Sequence, residues 1–158
     1  RGSFSITFQE EIMKKRIGYT TGVFDMFHIG HLHLLKKAKN HCNYLIVGVS
    51  SDELVKQYKG KNPIIPFEHR LEIVSSLSVV NEVVVQTHRD KIKQYHDIGF
   101  DVMFVGDDWK GDPLFESVEI ELKEFGASVE YFEYTKSVSS TKFTSILQEI
   151  YDLESKVR

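Results

Sequence analysis

The sequence predicts a doubly wound α/β domain built on a five-stranded parallel sheet. Three observations carry this reading. Short apolar runs alternate with segments of helical period along the chain, the pattern of β-α-β crossovers. One run, Tyr44 to Val49, is almost wholly apolar, as a strand buried on both faces must be. The length, 158 residues, suits one domain and leaves little for a second.

Each element has a local reason. Ile17 to Thr21 reads as the first strand, closed by a turn at Gly22. His31 to Lys39 reads as a helix, because Leu32, Leu35 and Ala38 recur on one face. After the strand at Tyr44 to Val49, Ser50-Ser51-Asp52-Glu53 opens a short helix, since Ser and Asp satisfy free backbone N–H groups. Gln57 to Pro66 is polar, holds Gly60 and two prolines, and reads as a loop. Phe67 to Leu77 resumes helical period and Glu82 to Gln86 is the third strand. Asp90 to Ile98 is helical with Gly99 as its C-terminal stop. Val102 to Val105 is the fourth strand, Leu114 to Phe125 a helix stopped by Gly126, and Ser128 to Phe132 the fifth strand. The last helix runs from Ser139 to about Ser155, with Phe143, Ile146, Leu147, Ile150 and Tyr151 as its apolar face. Residues 1–12 read as a vector-derived extension because of Arg1-Gly2-Ser3, with Met13 as the natural start and the domain spanning 13–158.

Composition narrows the function. At 41% hydrophobic and 27% charged the chain is an ordinary globular one. A net charge of −3 and a pI of about 6.2 exclude a global basic field, so no nucleic acid is expected as partner. A single cysteine excludes a disulfide framework and a Cys-rich zinc module, and fits a reducing, cytoplasmic compartment. No apolar stretch approaches the roughly 20 residues of a membrane helix. In a doubly wound sheet, ligands bind at the carboxyl ends of the strands, so the loops after the strands are where chemistry is expected.

The loop after the first strand reads Gly22-Val23-Phe24-Asp25-Met26-Phe27-His28-Ile29-Gly30-His31. His28 and His31 are three apart at the mouth of a helix, so both rings can lie beside its N-terminal amides, a natural seat for phosphate. Gly30 lets an oxyanion approach the backbone. The arrangement suits charge stabilisation on a phosphoryl group in transfer, and it contains no evident nucleophile. A bare His-x-x-His is also what an ordinary surface helix shows. A zinc set completed by His33 is disfavoured, because helical geometry turns His33 away from His28.

The longer string, Gly-x-Phe-Asp-x-x-His-x-Gly-His, resembles the signature of the cytidylyltransferase branch of the nucleotidylyltransferase superfamily. Ser50-Ser51-Asp52-Glu53, Phe67-Glu68-His69-Arg70, the run from Val80, Gly106-Asp107-Asp108-Trp109-Lys110-Gly111 and Ser139-Ser140-Thr141-Lys142 follow in family order. In form the chain is most similar to bacterial glycerol-3-phosphate cytidylyltransferases. The resemblance implies a Rossmann-like single domain and transfer of CMP from CTP to a phosphorylated alcohol, giving a CDP-alcohol for a cell-wall or capsule precursor. Phosphocholine, phosphoethanolamine and adenylyl transfer are the alternatives within enzymes, and a nucleotide sensor or scaffold the alternative outside them.

The same resemblance assigns the residues. His28 and His31 hold the CTP phosphates, and Lys59, with Lys61 in reserve, clamps them. Gly22 and Val23 approach the nucleotide through the main chain, with Phe24 and Gly30 beside them. Asp25 supports the site, either through Mg²⁺ or as a turn residue bonding its own backbone. Arg70 receives the acceptor phosphate, bidentately as a guanidinium does, and Asp52 bonds acceptor hydroxyls. Gly106, Asp107 and Asp108 meet the base, and Trp109 offers a stacking face or a lid. Ser139, Ser140, Thr141 and Lys142 receive the triphosphate. Relatives carry Arg where this chain has Tyr134, so Lys136 or Lys142 is expected to replace that cation. A homodimer is implied as well.

Overall fold

The computed structural model describes residues 15–133 and 140–157. The proposed extension over residues 1–12 lies outside them, as do Met13, Tyr134, Lys136 and Ser139. The strands are β1 (Ile17–Gly22), β2 (Tyr44–Ser50), β3 (Glu82–Gln86), β4 (Val102–Gly106) and β5 (Ser128–Phe132). The helices are α1 (Ile29–Asn40), α2 (Asp52–Lys59), α3 (Phe67–Ser75), α4 (Lys91–Ile98), α5 (Pro113–Glu124) and α6 (Ser140–Val157), with a single 3₁₀ turn over Asp107–Trp109. Every strand pair is parallel and the order is β3-β2-β1-β4-β5, the doubly wound arrangement with β1 at the switch point.

Alternation along β2 builds both faces of the core. Leu45, Val47 and Val49 join Leu35 and Ala38 of α1 and Val74 of α3 on one side. Ile46 joins Tyr19, Met103 and Val118 and Leu122 of α5 on the other. The sheet opens where ligands are expected. β1 pairs with β2 along its whole length, from Ile17 to Gly22, but with β4 only at Gly18 and Tyr19. Beyond Tyr19 the two strands part, leaving a crevice bridged by Thr20 Oγ1, which donates to the Phe104 carbonyl at 3.2 Å.

Element ends differ from the pattern in three instructive places. α1 begins at Ile29 rather than His31, because His28 is its N-cap. α2 continues through Lys59, three residues into the expected loop, and stops when Gly60 takes the left-handed conformation at φ 76°. Ser51, not Asp52, caps α2, accepting from the Leu54 N–H at 3.1 Å.

Asp52 is engaged elsewhere. Arg70, on the first turn of α3, is only 1% exposed. Its Nε donates to the Ile65 carbonyl (2.9 Å), its Nη1 to the carbonyls of Val23 (2.6 Å) and Ser50 (2.8 Å), and its Nη2 to Asp52 Oδ1 (2.7 Å). Asp52 Oδ2 in turn accepts from the Phe67 N–H at the start of α3. One guanidinium thus ties the ends of β1 and β2 to α2, α3 and the segment between those helices. Replacing it by Met removes four donors and leaves Asp52 without its cation. The guanidinium is buried but the Asp52 carboxylate is a third exposed, so water takes up part of the loss and the cost is about 3 kcal/mol, the low end for a broken buried pair. The Arg70→Met variant should show that loss as a lowered urea midpoint at unchanged slope. Arg70→Lys should recover only part of it, since an ammonium cannot span the same acceptors.

Candidate active site

The loop from β1 to α1 is strained and then locked. Phe24 and Met26 both have positive φ, 55° and 50°, a region that costs a side-chain-bearing residue about 1–2 kcal/mol. Between them, Asp25 is buried and its two carboxylate oxygens accept from the Ile64 and Ile65 N–H groups, each at 2.9 Å. Phe24 is buried against the rings of Phe27 and His31. Its ring also lies 3.0 Å from where a Cβ on Gly22 would stand, which is why glycine ends β1. Asp25 therefore bonds backbone, but backbone some forty residues away rather than its own turn.

His28 and His31 form a reciprocal cap. His28 Nδ1 accepts from the Gly30 N–H (3.0 Å) and His31 Nδ1 accepts from the His28 N–H (3.2 Å). This has the logic of a Ser-x-x-Glu capping box executed with imidazoles. It corrects the expectation for Gly30, whose amide is taken by His28 and is not offered to an oxyanion. Since both Nδ1 atoms accept, both neutral rings carry their proton on Nε2. The rings stack with centroids 4.0 Å apart, an arrangement that disfavours two imidazoliums. Burial, helped by His28, pushes His31 down to about 4, with Asp25 opposing weakly; burial lowers His28 as well. An unfolded histidine takes up its proton near 6.5. The neutral pair therefore stabilises the fold fully above that pH and progressively less as pH falls toward about 4. His28 Nε2 is buried with no hydrogen-bond partner among the described residues.

Two cavities adjoin at Thr21, Gly22, Val23 and Leu34, which line both; of the ring pair, His31 lines one of them and His28 lines neither. The first, about 460 Å³, is lined by Phe24, Asp25, His31, Val55, Lys59, Lys61, Asn62, Pro63 and Thr144. It gathers expected residues from the β1 loop and the α2 end, and adds Thr144 of α6, which the sequence did not single out, while Lys142 lines neither cavity. The second, about 500 Å³, lies over the carboxyl ends of the strands. On the β4 side it is walled by Gly106, Trp109, Leu114 and Phe115, with Trp109 tilted against the Phe115 ring at 5.3 Å. On the β3 side it is lined by Tyr58, Gln86, Arg89 and Lys91. Arg89 lies over the Tyr58 ring, 4.5 Å from its centroid. Burial, with Arg89 adding to it, pulls the Lys91 ammonium down to about 8. Both volumes suit small-molecule sites.

Several expectations are corrected here. Arg70 and Asp52 line neither cavity; they neutralise each other, and a cation whose bonds go to three carbonyls and a carboxylate does not receive a phosphate. Asp107 and Asp108 are exposed on the 3₁₀ turn and line neither cavity, because the turn directs Trp109 inward in their place. The Val23 carbonyl is held by Arg70, so this residue meets the cavity walls while its oxygen is spent on the scaffold. Ser140 and Thr141 stand in the first turn of α6 and Lys142 is exposed there. Sequence reasoning missed Tyr58, Gln86, Arg89 and Lys91. Their only signal was position, in or after strand ends where ligands are expected.

The cytidylyltransferase-like family model matches residues 19–146. The chain is 44% identical over 135 residues to the glycerol-3-phosphate cytidylyltransferase of Bacillus spizizenii, covering 82% of this chain and 94% of the relative. It is 37% identical to the Bacillus subtilis protein of the same name, with the same coverage. It is also 32% identical to the FAD synthase of Thermococcus sibiricus, over 88% of this chain and 95% of that one. A lipopolysaccharide core biosynthesis protein from Thermoplasma volcanium has the same fold, with TM-score 0.64 and 29% identity over 77% of this chain and 98% of its own. No helix among the described residues is long and apolar enough to cross a membrane. Fold, motif and relatives together place this chain in the cytidylyltransferase-like family.

Proposed function

We propose that this enzyme transfers CMP from CTP to glycerol 3-phosphate, releasing pyrophosphate and making CDP-glycerol, a precursor of cell-wall or capsule polymer. The observation that carries the reading is the neutral, stacked His28–His31 pair, with His31 in the wall of one of two adjoining and differently furnished cavities. The triphosphate occupies the cavity of His31, Lys59 and Lys61, with Thr144 of α6 in its wall. Cytidine extends to the β4 side, against Trp109. The acceptor enters from the β3 side, where Arg89 and Lys91 are the cations that meet its phosphate.

The chemistry is an in-line displacement. An oxygen of the acceptor phosphate attacks the α-phosphorus of CTP, a P–O bond forms, and the bond from Pα to the bridging oxygen of pyrophosphate breaks. A phosphate monoester loses its second proton near pH 6, so at neutral pH the nucleophile needs no general base. That is consistent with two histidines that act only as donors. Their Nε2–H groups stabilise charge on the phosphoryl oxygens in transit, and fixed dipoles of this kind cost no reorganisation at the moment of reaction.

Mg²⁺ fits as a passenger on CTP. Among the described residues no three His, Cys, Asp or Glu side chains form a cage, and Asp25 is the one carboxylate among those lining the phosphate cavity. A metal held by one carboxylate and the substrate phosphates is the usual magnesium arrangement, and when bound it neutralises charge on the phosphate oxygens. The enzyme acts in this reading as a cytoplasmic homodimer.

The direct test is pyrophosphate release with CTP or ATP against a panel of phosphorylated alcohols. CTP with glycerol 3-phosphate should be the best pair; a preference for ATP would move the chain toward the chemistry named for its FAD synthase relative. His28→Ala or His31→Ala should cut kcat on the order of 10²–10³-fold with a smaller effect on CTP binding. A variant with near-normal kcat would remove that ring from the mechanism. Lys91 supplies a pH signature. Its charge is lost as pH rises through about 8, so KM for the acceptor should climb between pH 7 and 9 while KM for CTP stays flatter. In Lys91→Ala the acceptor KM should be high throughout, and that climb should vanish.

A further inference from the structure

Gln86, the last residue of β3, is only 6% exposed, yet it lines the cavity that also holds Arg89 and Lys91. Its place is fixed on two sides. The Gln86 carbonyl accepts from the Ser51 N–H at 3.0 Å, and its side-chain amide lies 2.7 Å from Ser50 Oγ, its register partner on β2. Ser50 is buried in turn, with its hydroxyl 3.2 Å from the Gly22 carbonyl and its own carbonyl accepting from Arg70. The end of the Gln86 amide turned away from Ser50 makes no hydrogen bond among the described residues. A polar side chain this buried and only half paired needs a partner from outside the protein.

We propose that Gln86 selects the acceptor by its free hydroxyls. With the acceptor phosphate on Arg89 and Lys91, a hydroxyl of the alcohol part completes the Gln86 amide. The inference rests on the reading of this cavity as the acceptor site, and adds to it the side chain that reads the polyol. The chemistry favours a hydroxyl over other groups. Ser50 has one hydroxyl proton and two acceptors in reach, the Gly22 carbonyl and Gln86. If it donates to Gln86, the amide NH₂ is left for a ligand. If it donates to Gly22, it accepts from that NH₂ and the amide oxygen is left. A hydroxyl donates and accepts, so it completes the amide in either state. A phosphate oxygen suits only the first state, and an ammonium only the second. Being neutral, Gln86 also leaves the charge of Arg89 and Lys91 undiminished, where a carboxylate would weaken their hold on a phosphate.

Calorimetric titration with glycerol 3-phosphate and with propyl phosphate, which has no hydroxyl, tests this with and without α,β-methylene CTP. The native protein should favour glycerol 3-phosphate by about tenfold or more. Gln86→Met, close in volume, should weaken glycerol 3-phosphate alone and bring the two affinities together. Gln86→Glu should weaken both through its charge yet keep the preference, because a carboxylate still accepts from a hydroxyl. An equal loss for both ligands in Gln86→Met would make the residue purely structural and overturn the proposal. So would a native protein that binds the two alike, or binds neither. Pyrophosphate release from CTP and glycerol 3-phosphate separates this inference from the reading beneath it. Turnover together with an undiminished preference in Gln86→Met leaves that reading standing and overturns the inference. A preference that depends on Gln86, without turnover, does the reverse.

Discussion

Taking a guanidinium out of water is costly unless fixed acceptors replace the water, and here three carbonyls and a carboxylate do so from four parts of the chain. The requirement works in both directions. Arg70 can be buried only if the Val23 and Ser50 carbonyls, at the ends of β1 and β2, are held where they are. Those carbonyls are fixed because a rigid planar fork reaches them. The ends of the two strands that frame the cleft are thereby set before any ligand arrives. A hydrophobic residue there would bury apolar area but leave the carbonyls unsatisfied, a net loss.

The strained loop is the next consequence. With Val23 pinned, the chain must turn sharply to start α1, and it does so through two residues at positive φ. Asp25 makes the turn tolerable by accepting from the Ile64 and Ile65 amides, in the same segment whose Ile65 carbonyl bonds Arg70. The loop from β1 to α1 and the segment after Lys61 are therefore one unit. The imidazole pair begins where that unit ends, and its tautomers follow from which backbone amides are left to cap.

Much of the fold was legible because it rests on local pattern. β3 and β5 have the ends the sequence suggests, and Asp90 and Gly99 close α4 as their residue types require. What was not legible depends on partners far away in the chain. His28 as an N-cap hides behind a residue type that rarely caps, although its spacing of three from His31 is that of a capping box. Arg70 looks in sequence like a solvent-facing helix cation; only its distance from Asp52, Val23 and Ser50 in space gives it away. Arg89 and Lys91 flank the Asp90 that opens α4, and nothing in their neighbourhood distinguishes them from surface charges. The residues that reach the cavities through the motif were readable; those that reach them through topology were not.

The cleft also has an electrostatic problem that the histidines do not solve. A triphosphate and a phosphate monoester repel, and neutral rings supply donors but no charge. In a chain of net charge −3 the compensation has to be local. Lys59 and Lys61 stand at the end of α2, Arg89 and Lys91 at the start of α4, and these two helices follow the neighbouring strands β2 and β3. In the proposed reaction each of the repelling anions would be met by cations from a different crossover. Arg70, the remaining cation near the strand ends, is neutralised by Asp52 and adds little to the field that either anion meets. Desolvation makes Lys91 the easiest of these charges to lose, and a bound phosphate dianion would restore it by favouring the protonated form. With its pKa at about 8, Lys91 is already mostly charged at neutral pH, and a bound dianion would keep that charge in place as pH rises.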